Sequence, residues 1–223
     1  LTDEQRELLL GQFLPLVRDE KADVVVIAGD IYDRGIPPVE AVALFDEILT
    51  KLIEQKVRVL YIAGNHDSAR RIHFGNRLMR SAGVFVRGEL EDPLSPVVLE
   101  DRFGPVYFQL YPYAEPAAIR AAFGREEQLD FDSATQLLVD TGREQIPAGA
   151  RSVAVAHAFL AGGQSSESER PLSVGGSGNV SPAMFHGFSY TALGHLHNPQ
   201  AAGGEMIRYS GSLMKHSFDE AQQ

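Results

Sequence analysis

Two short apolar runs restrict the fold of this 223-residue chain more than any other feature. Val24-Val25-Val26-Ile27 and the stretch Val57 to Ala63 are rich in β-branched residues and too short for buried helices. Each leads into a glycine followed by a polar side chain. Strands without a polar face suit a sheet covered on both sides. Between the runs, Pro37-Pro38 marks a helix start, and Ala41, Phe45, Ile48 and Leu52 recur with helical spacing down to about Gln55. A Glu47/Lys51 pair is expected to support its exposed side. A capping box, Thr2-Asp3-Glu4-Gln5, opens a first helix that Pro15 should kink or end. The first 65 or so residues thus read helix, strand, helix, strand, the rhythm of a layered α/β domain.

Further along, the pattern predicts a short helix from Phe74 to Ala82, a strand at Val84 to Val86, and a hairpin of Val97 to Leu99 with Val106 to Tyr111. Helices over 115–123 and 132–145 and strands at Ser152 to Ala156, Tyr190 to Leu193 and Met206 to Tyr209 complete the series. Gly162 to Gly178 is dominated by glycine and serine and reads as a long loop, of a length that is usually functional or mobile.

Composition narrows the chemistry. No run of about 18 apolar residues exists, so nothing in the sequence reads as a membrane-spanning helix. With no cysteine, any metal must be held by His, Asp, Glu or Asn. A net charge of -10 argues against a protein that coats nucleic acid. Residues 61–90 run against that balance, with five arginines (Arg70, Arg71, Arg77, Arg80, Arg87) against two acidic residues.

Four candidate positions follow predicted strands, where α/β sheets present their functional groups. They are Gly29-Asp30-Ile31-Tyr32-Asp33, Gly64-Asn65-His66-Asp67, His157, and His195-Leu196-His197. Taken singly, the first two also fit ordinary turns, and His157 also fits a structural hydrogen-bonder. Together they supply a carboxylate, a carboxamide oxygen and three imidazoles, a donor set suited to Mn²⁺, Fe²⁺ or Zn²⁺. A carboxylate bridging two ions would give the arrangement used for in-line displacement at phosphorus. His73, His186 and His216 are expected to be structural or surface residues.

In order, GDIYD, GNHD, VAHAF and GHLH resemble motifs of the calcineurin-like metallophosphoesterases. The longer stretches GDIYDRGIPP, GNHDSARR, VGGSGNVSPAMF, YTALGHLH and RYSGSLMKHSFDEA are similar to the SbcD-type nucleases within that family. The resemblance implies a layered α/β/β/α sandwich with mixed central sheets, residues 1–223 forming the nuclease core. It implies two divalent ions, Mn²⁺, with Asp30 bridging them, Asn65, His157 and His195 on one and His197 on the other. His66 would contact the scissile phosphate and protonate the leaving oxygen. Asp33 would support it, and Asp67 would fix the GNH turn. Arg70 and Arg71, just past GNHD, are expected to contact phosphates.

The implied activity is a cytoplasmic 3′ to 5′ exonuclease on duplex ends and an endonuclease on single strands and hairpins. Its implied partners are DNA, an SbcC-like ATPase and a second nuclease subunit in a homodimer. The family's first motif, DxH, is expected upstream of Leu1, and a capping domain beyond residue 223. Material beginning at Leu1 is expected to bind the second ion poorly and to be nearly inactive. A phosphoesterase acting on nucleotides or other esters would need almost the same core site. A non-catalytic scaffold would be marked by missing ligands, and the four motifs are intact.

Overall fold

A computed structural model of the chain describes residues 3–91, 93–166, 168–169, 172 and 178–215. Thr2 of the capping box, Val174 to Ser177, His216 and the SFDEA stretch lie outside the described residues.

The chain opens with α1 (Asp3–Arg6), a π-helical stretch (Glu7–Phe13) and α2 (Leu14–Asp19). Pro15 does not end this helix, because the wide π turns stand where an α-helical carbonyl would meet the proline ring and the missing N–H. Next come β1 (Val24–Ile27), α3 (Val39–Glu54) and β2 (Arg58–Ile62), as the apolar runs predict. The ion pair that Glu47 makes is with Arg6 at 2.8 Å, across to the N-terminal helix, and not the expected one with Lys51. The helix expected from Phe74 begins earlier and is broken. It comprises α4 (Ala69–His73), α5 (Asn76–Met79) and a 3₁₀ turn (Arg80–Ala82), parted at Gly75 with φ +74°. Then follow β3 (Val84–Arg87), the hairpin β4 (Val97–Asp101) and β5 (Gly104–Tyr111), α6 (Pro116–Ala122) and α7 (Phe131–Arg143). The last part holds β6 (Ser152–His157), β7 (Phe159–Leu160), β8 (Asn179–Val180), β9 (Tyr190–Gly194), β10 (Gln200–Ala201) and β11 (Ile207–Tyr209).

Strands β1, β2 and β3 form a wholly parallel sheet in that order. The second sheet, ordered β10-β11-β9-β6-β5-β4, is mixed: its four central strands are parallel and both edges antiparallel. Alternation along β2 shows why it has no polar face. Val59 and Tyr61 pack toward α3, whereas Leu60 and Ile62 pack on Leu110 and Val155 of the other sheet. A third core joins the mixed sheet to α6 and α7 through Tyr111, Ile119, Leu138 and Leu193. The result is the α/β/β/α sandwich, its smaller sheet parallel rather than mixed. The parallel strands deliver the ends of β1, β2, β6 and β9 to one edge of the two sheets.

Candidate metal centre

Each strand end carries one part of the site, and the two sheets must approach closely for the parts to meet. A Cβ on Gly194 would collide with Ala28 O, and one on Gly64 with Asp30 Oδ1 and the Asp30 amide nitrogen. Glycine at 194 lets the two sheets close on each other, and glycine at 64 lets the neighbouring loops after β1 and β2 of the parallel sheet meet.

Asp30 has φ +50° and His195 φ +103°. Both are strained for residues with a Cβ, His195 more so. Such strain persists where the surroundings over-determine it. Asp67 is one determinant: its carboxylate accepts from Ile31 N at 3.1 Å, Tyr32 N at 3.0 Å and Gly64 N at 2.9 Å. It therefore fixes the GNH turn, as expected, and also ties that turn to the loop after β1. The Asp30 carboxylate is held by His66 N, 3.0 Å from Oδ1.

Three side chains aim ligand atoms at one point: Asp30, His157 and His195 place one atom each within 4.8 Å of the others. Asn65 joins them, its Oδ1 2.9 Å from His157 Nε2, and Asp30 Oδ2 lies 3.4 Å from the same nitrogen. His157 Nδ1 donates to Ala28 O at 2.8 Å, which fixes the ring and directs Nε2 at the oxygens. Burial alone would raise the Asp30 pKa, but the charge and hydrogen bond of His157, with help from His66, bring it down to about 2. Burial likewise opposes protonation of His157, yet Asp30 and Ala28 O outweigh it and raise the pKa. At His195 burial prevails, reinforced by His157, and lowers the pKa to about 3. The ring is neutral at pH 7, and its buried Nδ1 has no hydrogen-bond partner among the described residues.

This donor set fits a divalent cation. Oxygen acceptors crowd His157 Nε2, a buried imidazole nitrogen of His195 is unpaired, and the ligand types suit a borderline transition ion. A cation there would need His157 Nε2 unprotonated, so its binding competes with protonation of that nitrogen.

His197 lies apart from this cluster but lines the same cleft of about 670 Å³ as Asp30 and His195. His66 stands between two carboxylates, with Nε2 3.9 Å from Asp30 Oδ2 and Nδ1 3.8 Å from Asp33 Oδ1. Asp33 is largely exposed and also lies 3.7 Å from Arg34 Nε. Arg70 is 89% exposed at the side chain and 3.4 Å from Glu89, and Arg71 is exposed. Arg87 is buried, donating to Leu110 O and Ser95 O, so it leaves the surface arginine group that the charge count suggested. His73 is structural: Nδ1 accepts from Gly88 N at 3.2 Å and Nε2 lies 2.7 Å from Asn76. His186 is exposed.

Sequence reasoning missed three neighbours of the site. Tyr113 sets its ring edge-on to His157 at 6.4 Å, and Ser168 and Glu169 both contact His197. The only signal for the last two was the length of the Gly/Ser loop.

The fold and this strand-end site are those of a metal-dependent phosphoesterase. The calcineurin-like phosphoesterase family matches residues 4–199, and the chain belongs to it. Along 221 residues, 99% of the chain, it is 32% identical to the SbcD subunit of the nuclease SbcCD from Staphylococcus epidermidis. It spans 58% of that protein's length.

Proposed function

We propose that this chain is the core of a metal-dependent DNA nuclease of the SbcD type. It would act as a 3′ to 5′ exonuclease on duplex ends and as an endonuclease on single strands and hairpins. The observation that carries the reading is the convergence of Asp30, His157 and His195 beside Asn65, in a chain 32% identical to a nuclease subunit. Asn65, His157 and His195 would hold one ion and His197 the other, with Asp30 shared and Mn²⁺ the ion. When bound, the ions would supply charge stabilisation at phosphorus and an activated nucleophile.

The protein's own groups do the rest. Asp67 locks the two ligand loops together, and the Ala28 carbonyl keeps the His157 proton on Nδ1. His66, placed between Asp30 and Asp33, gives a proton to the leaving oxygen. Asp33, whose Oδ1 lies 3.8 Å from His66 Nδ1, would support this step from beside the ring. Arg70 and Arg71 lie on α4, which starts two residues after Asp67, and would grip the phosphate backbone. A second nuclease subunit in a homodimer is part of the same reading. An SbcC-like ATPase as partner and a cytoplasmic location belong to the same reading.

The test is cleavage of end-labelled duplex and hairpin DNA with Mn²⁺. Shortening from 3′ ends and hairpin opening are expected, whereas turnover of p-nitrophenyl esters with DNA left intact would contradict the proposal. On the same DNA, Arg70→Ala with Arg71→Ala should weaken binding uniformly across sequences. The slope of log affinity against log salt should fall by about one for each phosphate no longer neutralised. Unchanged binding over a salt series would exclude both arginines from the interface.

A further inference from the structure

The loop that joins β7 to β8 is tied to the site at three places. Gln164 N donates to Gln200 Oε1 and Gln200 Nε2 to Gln164 O, both at 2.8 Å. Glu169 spreads its carboxylate over two main-chain amides, Oε1 accepting from His197 N at 2.6 Å and Oε2 from Ser166 N at 2.7 Å. Ser168 Oγ lies 2.6 Å from His197 Nδ1 and 3.1 Å from Ser166 Oγ. Farther along, Leu172 O accepts from Tyr113 OH at 2.9 Å, next to His157.

Two adjacent residues of this loop thus reach the same histidine, one on its ring and one on its main chain. Together they fix both the rotation of the imidazole and the position from which it projects. A histidine that binds a cation through one ring nitrogen needs the proton on the other held by an acceptor. His157 has the Ala28 carbonyl for this purpose. For His197 the corresponding group is the Ser168 hydroxyl, whose own proton can turn to Ser166 Oγ. The opposite direction, with Ser168 donating to Nδ1, would put the proton on Nε2 and block that nitrogen.

We propose that Ser168 and Glu169 are positioning residues for His197, Ser168 accepting from Nδ1–H to leave Nε2 unprotonated and Glu169 anchoring the main chain. The inference rests on His197 being a ligand of the second ion. It makes the Gly/Ser loop a support of the metal centre rather than a passive connection.

The test begins without metal, by ¹⁵N NMR of imidazole-labelled protein. His197 is expected as the Nδ1–H tautomer. Ser168→Ala should shift it toward Nε2–H, and Ser168→Thr, which keeps the hydroxyl, should restore it. Calorimetric titration of the full-length protein with Mn²⁺ should then show affinity at the His197 site about 10 to 100-fold lower in Ser168→Ala and Glu169→Ala. The His157/His195 site should be unchanged in both variants, as should the melting temperature of Ser168→Ala in chelator. A wild-type Nε2–H tautomer, an unchanged tautomer in Ser168→Ala, or equal losses at both sites would overturn the inference. His197→Ala separates the ligand role from the positioning role. If it alters no Mn²⁺ affinity, the ligand reading fails. If it removes one site while Ser168→Ala and Glu169→Ala weaken none, only the positioning role fails.

Discussion

Replacing His66 with alanine is expected to lower Mn²⁺-dependent phosphodiester cleavage by about 10² to 10⁴-fold while leaving cation affinity intact. The two effects separate because His66 serves the site through different atoms. Its main-chain N–H holds Asp30 Oδ1 at 3.0 Å, and alanine keeps that N–H. Its ring nitrogens lie 3.9 Å from Asp30 and 3.8 Å from Asp33, beyond hydrogen-bond range, and the ring is not among the converging ligand atoms. What the variant loses is the group proposed to protonate the leaving oxygen. Single-turnover cleavage of labelled DNA, run beside Mn²⁺ calorimetry, measures both. A parallel fall in affinity would make His66 a ligand and contradict its assignment as the acid.

Gly64→Ala should do the reverse, weakening cation binding by about 10 to 100-fold, on the scale of removing a hydrogen bond that orients a ligand. A Cβ at Gly64 collides with Asp30 Oδ1 and with the Asp30 amide nitrogen, and main chain cannot swing away as a long side chain can. Asp30 would have to move, and with it the carboxylate proposed to bridge both ions. Gly64 N also donates to Asp67, so displacement would loosen the tie between the two ligand loops. Overpacking of this kind costs about 1 to 3 kcal/mol of stability besides. Gly35→Ala is the control, since its Cβ would meet Ser68 Cβ at an ordinary 3.5 Å. Equal Mn²⁺ affinities for Gly64→Ala, Gly35→Ala and wild type would show that Asp30 is not held as described.

Strands β2, buried on both faces, and β1, partly buried on both, were legible because packing on two sides calls for a run of apolar residues that no loop or exposed strand needs. The residues at their ends were legible for a related reason. Parallel strands send their carboxyl ends to one edge, so GD, GNHD, VAH and GHLH meet wherever the sheets pack. Hydrogen bonds between distant loops left no such trace. Asp67 reads locally as a turn former, yet two of its three hydrogen bonds reach Ile31 and Tyr32, 36 and 35 residues away. Arg87 counted toward a basic surface until the hairpin carbonyl of Leu110 and the Ser95 carbonyl took it inside. Strands of two residues, β7, β8 and β10, carry no periodicity. Ser168 and Glu169 sit in a stretch whose composition signals only that it is not a helix or strand. The break at Gly75 shows the limit of helical spacing, since Phe74 to Ala82 has the pattern while α4 starts at Ala69.

Asp30, Asn65, His157 and His195 must form one cation site for the enzyme to work as described. Anomalous scattering at the manganese absorption edge, from crystals of the protein grown with Mn²⁺, tests this most directly. The predicted result is a manganese peak within ligand distance of all four residues, with any second peak shared between Asp30 and His197. An empty space between Asp30, His157 and His195 at saturating Mn²⁺, or manganese bound only elsewhere, would contradict it.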